Sequence, residues 1–144
     1  MTKPKIYMVV GCPGAGKSWV CEQLTDKFKY VHHDGFIYLK TGPKAYVDAI
    51  LEAAEDEKNK KPILIEAPFS ISQTKDPVEA KGYPVECVYI IEDHRVIADR
   101  YKKRDSKEIP KGHLTRQNTY LQRAKNSKAF TGTSSEVLEH LKKV

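Results

Sequence analysis

No apolar stretch in this sequence approaches the roughly 20 residues needed to cross a bilayer. The run at residues 6–10 is too short for a membrane span or a signal-peptide core, and a glycine-rich segment ends it at once. Cysteine is scarce. Cys12, Cys21 and Cys87 are odd in number, widely spaced and form no CxxC pair, which excludes a disulfide framework and points to reduced thiols in a cytoplasmic protein. Arginine is missing from the first 94 residues: Arg95, Arg100, Arg104, Arg116 and Arg123 all fall in the C-terminal half. There are no internal repeats and no low-complexity linker, so a length of 144 residues predicts one domain, 1–144, with one buried core.

Hydrophobic residues make up 40% and charged residues 31%, the proportions of an ordinary globular chain. The 25 Lys+Arg against 19 Asp+Glu give a formal charge of +6, which suits an anionic substrate without choosing between a nucleotide and a nucleic acid.

Apolar strands alternate with amphipathic helices. Residues 5–10 read as a buried parallel strand, and 18–28 as a helix with Val20, Leu24 and Phe28 at helical spacing. A short strand is expected at 30–33. Thr41, Gly42 and Pro43 open a helix whose apolar face is Val47, Ile50, Leu51 and Ala54. Strands follow at 62–66 and 85–91, with the stretch 70–82 between them left open because Pro77 interrupts it. Asp93 is placed to cap a helix running to Arg104. Residues 105–112 are polar and loop-like, and 113–128 are helical, with Leu114, Leu121 and Ala124 on one side. Phe130 and Thr131 form a very short strand, and the capping-box spacing of Thr133 and Glu136 starts a last helix. This alternation implies an α/β fold with an open parallel sheet, helices on both faces and ligands at the carboxyl ends of the strands.

The sharpest motif is Gly11, Cys12, Pro13, Gly14, Ala15, Gly16, Lys17 and Ser18, which satisfies GxxxxGK[ST] at every fixed position and lies between an expected strand and an expected helix. Phosphates need a concave nest of N–H groups, and glycine allows the turns that expose them. The following helix adds its positive end. Lys17 is expected on the β- and γ-phosphates and the Ser18 hydroxyl on Mg²⁺, so the loop predicts a bound nucleoside triphosphate, ATP with Mg²⁺. Cys12 is either a reactive thiol or a small filler.

Other chemistry falls at strand ends. Asp34 follows the second strand, where a carboxylate can take the proton of an attacking hydroxyl; otherwise it caps a turn with Gly35. His32 and His33 point to opposite faces of a strand and cannot easily share one ion. Glu66 ends the third strand, where an acid can hold a water on Mg²⁺ or pair with a nearby lysine. Arg100 and Arg104 share one helix face ahead of the polar 105–112 segment, in the arrangement of a lid, about residues 100–112, that closes on phosphates. The alternative is a solvated basic face with Lys102 and Lys103.

With these residues in place, the chain resembles the P-loop kinase domain of the phage polynucleotide kinase family and, more loosely, small gluconate- and shikimate-kinase-like proteins. The loop is close to that family's Gly-Cys-Pro-Gly-Ser-Gly-Lys-Ser. Asp34 stands where the family carries its general base, and Arg100, Arg104 and Ile109-Pro110 have the spacing of its lid. The resemblance implies a P-loop kinase fold with a five-stranded, mostly parallel sheet and a short lid. It also implies ATP, Mg²⁺ and γ-phosphoryl transfer to a hydroxyl, with catalytic roles for Lys17, Asp34, Arg100 and Arg104. Thr131 and Thr133 are similar to the segment near adenine in such kinases. Three departures stand out: Trp19 follows the Lys-Ser pair where relatives have Thr or Ser, no arginine follows Asp34 between residues 35 and 40, and Glu66 replaces the usual aspartate.

Three functions follow in order of preference. The first is a kinase for a hydroxyl on a polynucleotide 5′ end, a nucleoside or another small molecule. The second is a nucleoside monophosphate kinase, disfavoured because such enzymes commonly grip the acceptor phosphate with arginine. The third is a regulatory NTP-binding switch, for which no DxxG follows the third strand and no NKxD is present. No membrane partner is expected.

Overall fold

The computed structural model describes residues 3–12, 15–32, 36, 41–66, 71–106, 108 and 111–144. Its elements run β1 (Ile6–Gly11), α1 (Lys17–Glu22), β2 (Lys29–Tyr30), α2 (Gly42–Glu55), β3 (Ile63–Glu66), α3 (Ile71–Ala80), β4 (Val85–Ile90), α4 (His94–Asp105), α5 (His113–Ser127), β5 (Phe130–Gly132) and α6 (Ser134–Lys142). The five strands form one sheet in the order β2-β3-β1-β4-β5, with every pair parallel.

The sheet's period of two divides the core. Ile6, Met8 and Val10 of β1 share one face with Ile63, Ile65, Cys87 and Tyr89, and there they pack on Tyr46, Val47 and Ile50 of α2, Val78 of α3 and Ala124 of α5. Tyr7 and Val9 turn the other way with Leu64, Val88 and Ile90, against Val20 and Cys21 of α1, Ile97 of α4 and Val137, Leu138 and Leu141 of α6. β1 is buried at all six positions because it is the middle strand with helices on both sides.

The first helix, the second strand (Lys29–Tyr30 where 30–33 was expected) and the inward face of α5 differ from the sequence expectation, and the stretch left open around Pro77 takes a definite form. The first helix stops at Glu22, and the chain continues through tight turns, with the Leu24 N–H on the Cys21 carbonyl at 3.1 Å and the Phe28 N–H on the Leu24 carbonyl at 2.9 Å. Leu24 and Phe28 are buried all the same, so the spacing marked the core and not the helix. The stretch around Pro77 is a helix, α3, which passes through the proline and buries Thr74 and Val78. In α5 the inward stripe is His113, Gln117 and Ala124, while Leu114 is 53% exposed. That stripe is polar at its start because this end of α5 lies against the glycine-rich loop: the Cys12 thiol points to the His113 carbonyl at 3.9 Å.

The expected caps are present. The Asp93 carboxylate accepts the Arg95 N–H at 2.8 Å, and Thr133 and Glu136 form a reciprocal capping box at the start of α6. No helix among the described residues is long and apolar enough to cross a membrane.

Candidate nucleotide-binding site

The parallel sheet brings three carboxyl ends together: β1 runs into the glycine-rich loop, β3 ends in Glu66, and β4 leads into Glu92. β1 lies between β3 and β4, so the loop has an acid from each neighbouring strand beside it. Such an end is where ligands bind in open α/β sheets.

Within the loop, Ala15 donates its N–H to the Cys12 carbonyl at 3.0 Å, and Gly16 precedes α1 with φ at +97°. A side chain at Gly16 would be strained by that φ and would crowd Ser134, whose Cβ lies 3.3 Å from the Cβ position. Lys17 Nζ donates to the Gly11 carbonyl at 3.0 Å. Burial lowers the Lys17 pKa, and the Glu66 carboxylate acts against that shift. Pro13 and Gly14 lie outside the described residues.

Ser18 and Glu66 meet. Ser18 Oγ donates to Glu66 Oε1 at 3.0 Å, and the Tyr30 hydroxyl donates to Oε2 of the same carboxylate. Glu66 is 1% exposed. Its N–H donates to the Tyr46 hydroxyl at 3.2 Å, and that hydroxyl donates to the Val31 carbonyl at 2.8 Å. Glu66 thus bonds two hydroxyls, and its charge reaches Lys17.

On the other side of the loop, Arg100 Nη1 lies 3.6 Å from the Cβ position of Gly16, and its Nη2 lies 3.6 Å from Glu92 Oε1. Glu92 is buried and also accepts the Ser134 N–H at 2.8 Å and the Ser134 hydroxyl at 2.7 Å. Its carbonyl accepts Gln117 Nε2 at 2.9 Å. One residue after β4 therefore ties α4, α5 and α6 around the loop.

The structure gathers Gly11, Cys12, Ala15, Gly16, Lys17, Ser18, Glu66 and Arg100. Arg104, one turn beyond Arg100, is exposed in the basic last turn of α4. Trp19 is 47% exposed. Thr131 lies in β5, and the Thr133 hydroxyl accepts the Glu136 N–H at 3.3 Å as a helix cap, while its neighbour Ser134 is the residue that reaches Gly16. Cys12 is buried, and burial raises its pKa despite Arg116 and Lys17, so it fills space as a neutral thiol. Asp34, the proposed base, and Ile109-Pro110 lie outside the described residues, as do His33, Gly35, Ile37 and Lys40. His32 meets Tyr30 edge to face at 5.1 Å.

Sequence reasoning missed Glu92, Tyr30 and Tyr46, and it placed Ser134 only in the segment near adenine. Glu92 carried the same signal as Glu66, an acid just after an apolar strand, but the adjacent Asp93 drew attention as a cap. The tyrosines gave no signal, since an aromatic near a strand reads first as core.

The sequence matches no protein-family model and no curated protein. Solved structures do match. A gluconokinase from Sinorhizobium meliloti 1021 superposes with a TM-score of 0.62 at 16% identity, over 96% of this chain and 90% of that one. The tunicamycin resistance protein of Deinococcus radiodurans gives 0.64 at 14% identity, over 96% and 93%. The YorR protein of Bacillus subtilis, solved in complex with phosphorylated GDP, gives 0.61 at 18% identity, over 95% and 93%. The chain has the P-loop kinase fold: an α/β architecture with a five-stranded parallel sheet flanked by helices.

Proposed function

We propose that this chain is an ATP-dependent phosphotransferase that moves the γ-phosphoryl group to a hydroxyl, on a polynucleotide 5′ end or on a nucleoside or similar small molecule. The observation that carries the proposal is the Gly11–Ser18 loop at the carboxyl end of the middle strand, with the Ser18 hydroxyl and the Glu66 carboxylate 3.0 Å apart beside it. Two hard oxygen donors suit Mg²⁺, which takes most of its ligands from phosphates and water. When bound, that ion neutralises charge on the phosphate oxygens. On this reading 1–144 is one P-loop kinase domain in a cytoplasmic protein, with a lid at about 100–112.

Each residue then has a task. The loop N–H groups and Lys17 hold the phosphates, and Ser18 and Glu66 provide for the metal side. Asp34 accepts the proton of the attacking hydroxyl. Arg100, held by Glu92 against the loop, and Arg104 offset charge on the transferring phosphoryl oxygens. Thr131 and Trp19 border the nucleotide. Support for a hydroxyl acceptor, and for the narrower polynucleotide kinase likeness, comes from Asp34 and the loop sequence. The GDP-derived ligand of the YorR structure favours a second reading, a nucleoside monophosphate kinase, whose acceptor is a phosphate.

The test is a screen with γ-labelled ATP against 5′-hydroxyl oligonucleotides, nucleosides, nucleoside monophosphates and sugar acids. Label on a hydroxyl acceptor is the expected result. Transfer to monophosphates alone selects the second reading, and nucleotide binding with no transfer to any acceptor selects a regulatory switch.

A further inference from the structure

Glu66 is the most buried acid among the described residues, and it is held from both ends. Tyr46 takes its N–H, while Ser18 and Tyr30 place one hydroxyl on each carboxylate oxygen. Tyr30 has an anchor of its own. The main chain on either side of it is tied to β3 and the residue before that strand, with the Lys29 N–H on the Pro62 carbonyl at 2.8 Å and the Val31 N–H on the Leu64 carbonyl at 3.0 Å. Its ring also rests edge to face on His32. A tyrosine hydroxyl keeps its proton at neutral pH and so acts here as a donor.

A glutamate at a strand end has three side-chain torsions, and a single donor on one oxygen would leave the other free to swing. A second donor fixed to the sheet removes that freedom. Ser18 can give its one hydrogen to Glu66 and still have lone pairs for a cation. We infer that Tyr30 is a positioning residue for the metal side of the site: its hydroxyl holds Oε2 of Glu66 so that Oε1 takes the Ser18 hydrogen and turns the Ser18 lone pairs to an incoming Mg²⁺. This rests on the phosphotransferase reading, but it concerns the cation and not the acceptor. Outer partners of this kind are commonly worth about 10–100-fold in metal affinity.

The experiment uses the full chain with a non-hydrolysable ATP analogue and Mn²⁺ as a paramagnetic probe. Affinity for the analogue is measured in EDTA, and Mn²⁺ affinity of the nucleotide complex is measured by electron paramagnetic resonance. Tyr30→Phe should weaken Mn²⁺ binding about tenfold while leaving metal-free analogue affinity within about twofold. Glu66→Gln should weaken Mn²⁺ at least as much, and Tyr46→Phe should lower the melting temperature without a selective loss of Mn²⁺. Unchanged Mn²⁺ affinity in Tyr30→Phe or in Glu66→Gln overturns the inference. So does a Tyr30→Phe chain that fails to fold, or one whose metal-free and metal-loaded affinities fall together, since Tyr30 is then only structural. A wild-type chain that binds no nucleotide under either condition defeats the phosphotransferase reading itself, and that result is distinct from normal nucleotide binding with an unaffected cation.

Discussion

The carboxylate of Glu92 joins Arg100 to the start of α6: its Oε1 lies 3.6 Å from the Arg100 guanidinium and takes both the N–H and the hydroxyl of Ser134. Glu92 is 6% exposed, so removing it leaves two Ser134 donors buried without their acceptor and takes one carboxylate away from Arg100 beside Gly16. Glu92→Ala should cost about 1–3 kcal/mol in urea unfolding, the usual cost of stranding buried donors. Glu92→Gln keeps an acceptor for Ser134 and should recover most of that stability. If it then turns over as wild type does, the ion pair to Arg100 has no part in catalysis.

Lys17 and Asp34 are assigned to different stages, and kinetics separates them. On the proposed mechanism the Lys17 ammonium contacts phosphate in both ground and transition states, so Lys17→Ala should weaken ATP binding and abolish transfer. Asp34→Asn should leave ATP affinity within about twofold and lower turnover at least ~100-fold, the ordinary worth of a general base. Titration calorimetry gives the first quantity and single-turnover transfer the second. Wild-type turnover in Asp34→Asn would move the base elsewhere and leave Asp34 as a turn residue.

How far the sequence could be read follows from the range of each interaction. The strand positions and the two-faced core were visible because Ile6, Met8 and Val10 against Tyr7 and Val9 form a continuous apolar run that only a doubly covered middle strand tolerates. The glycine-rich loop was visible because its chemistry is local. What stayed hidden depends on contacts far apart in the chain. Glu92 and Ser134 are 42 residues apart, and Tyr30 and Glu66 are 36 apart. The face of α5 was misjudged for the same reason. Hydrophobicity alone places Leu114 inside, whereas the helix start faces a polar loop, so His113 and Gln117 point inward and Leu114 is left outside.

Thr133 separates a structural role from a binding one. Its hydroxyl accepts the Glu136 N–H, and its own N–H is taken by the Glu136 carboxylate at 3.0 Å, which holds that carboxyl below its ordinary pKa. Thr133→Ala should therefore cost about 1 kcal/mol, the typical worth of such a cap, with ATP affinity nearly unchanged. An unchanged melting temperature with clearly weaker ATP binding would instead make Thr133 a nucleotide contact.

His113 gives the fold a predictable acid sensitivity. It is buried beside the loop, neither ring nitrogen has a hydrogen-bond partner among the described residues, and His94 meets it edge to face at 5.8 Å. Burial lowers its pKa from the ordinary 6.5, with His94 and Arg116 adding repulsion. The folded chain thus refuses a proton that the unfolded chain accepts below about pH 6.5. The stability contributed by neutral His113 is complete above that pH and is lost progressively as pH falls towards the lowered value. His113→Phe removes the titration and two unsatisfied nitrogens while keeping a ring of similar shape, so it should be more stable than wild type by about 1 kcal/mol at neutral pH. Its advantage should widen between about pH 6.5 and 5. Urea midpoints for the two chains across that range provide the measurement. A constant difference between them would show that His113 takes up its proton in the folded state as readily as in the unfolded one.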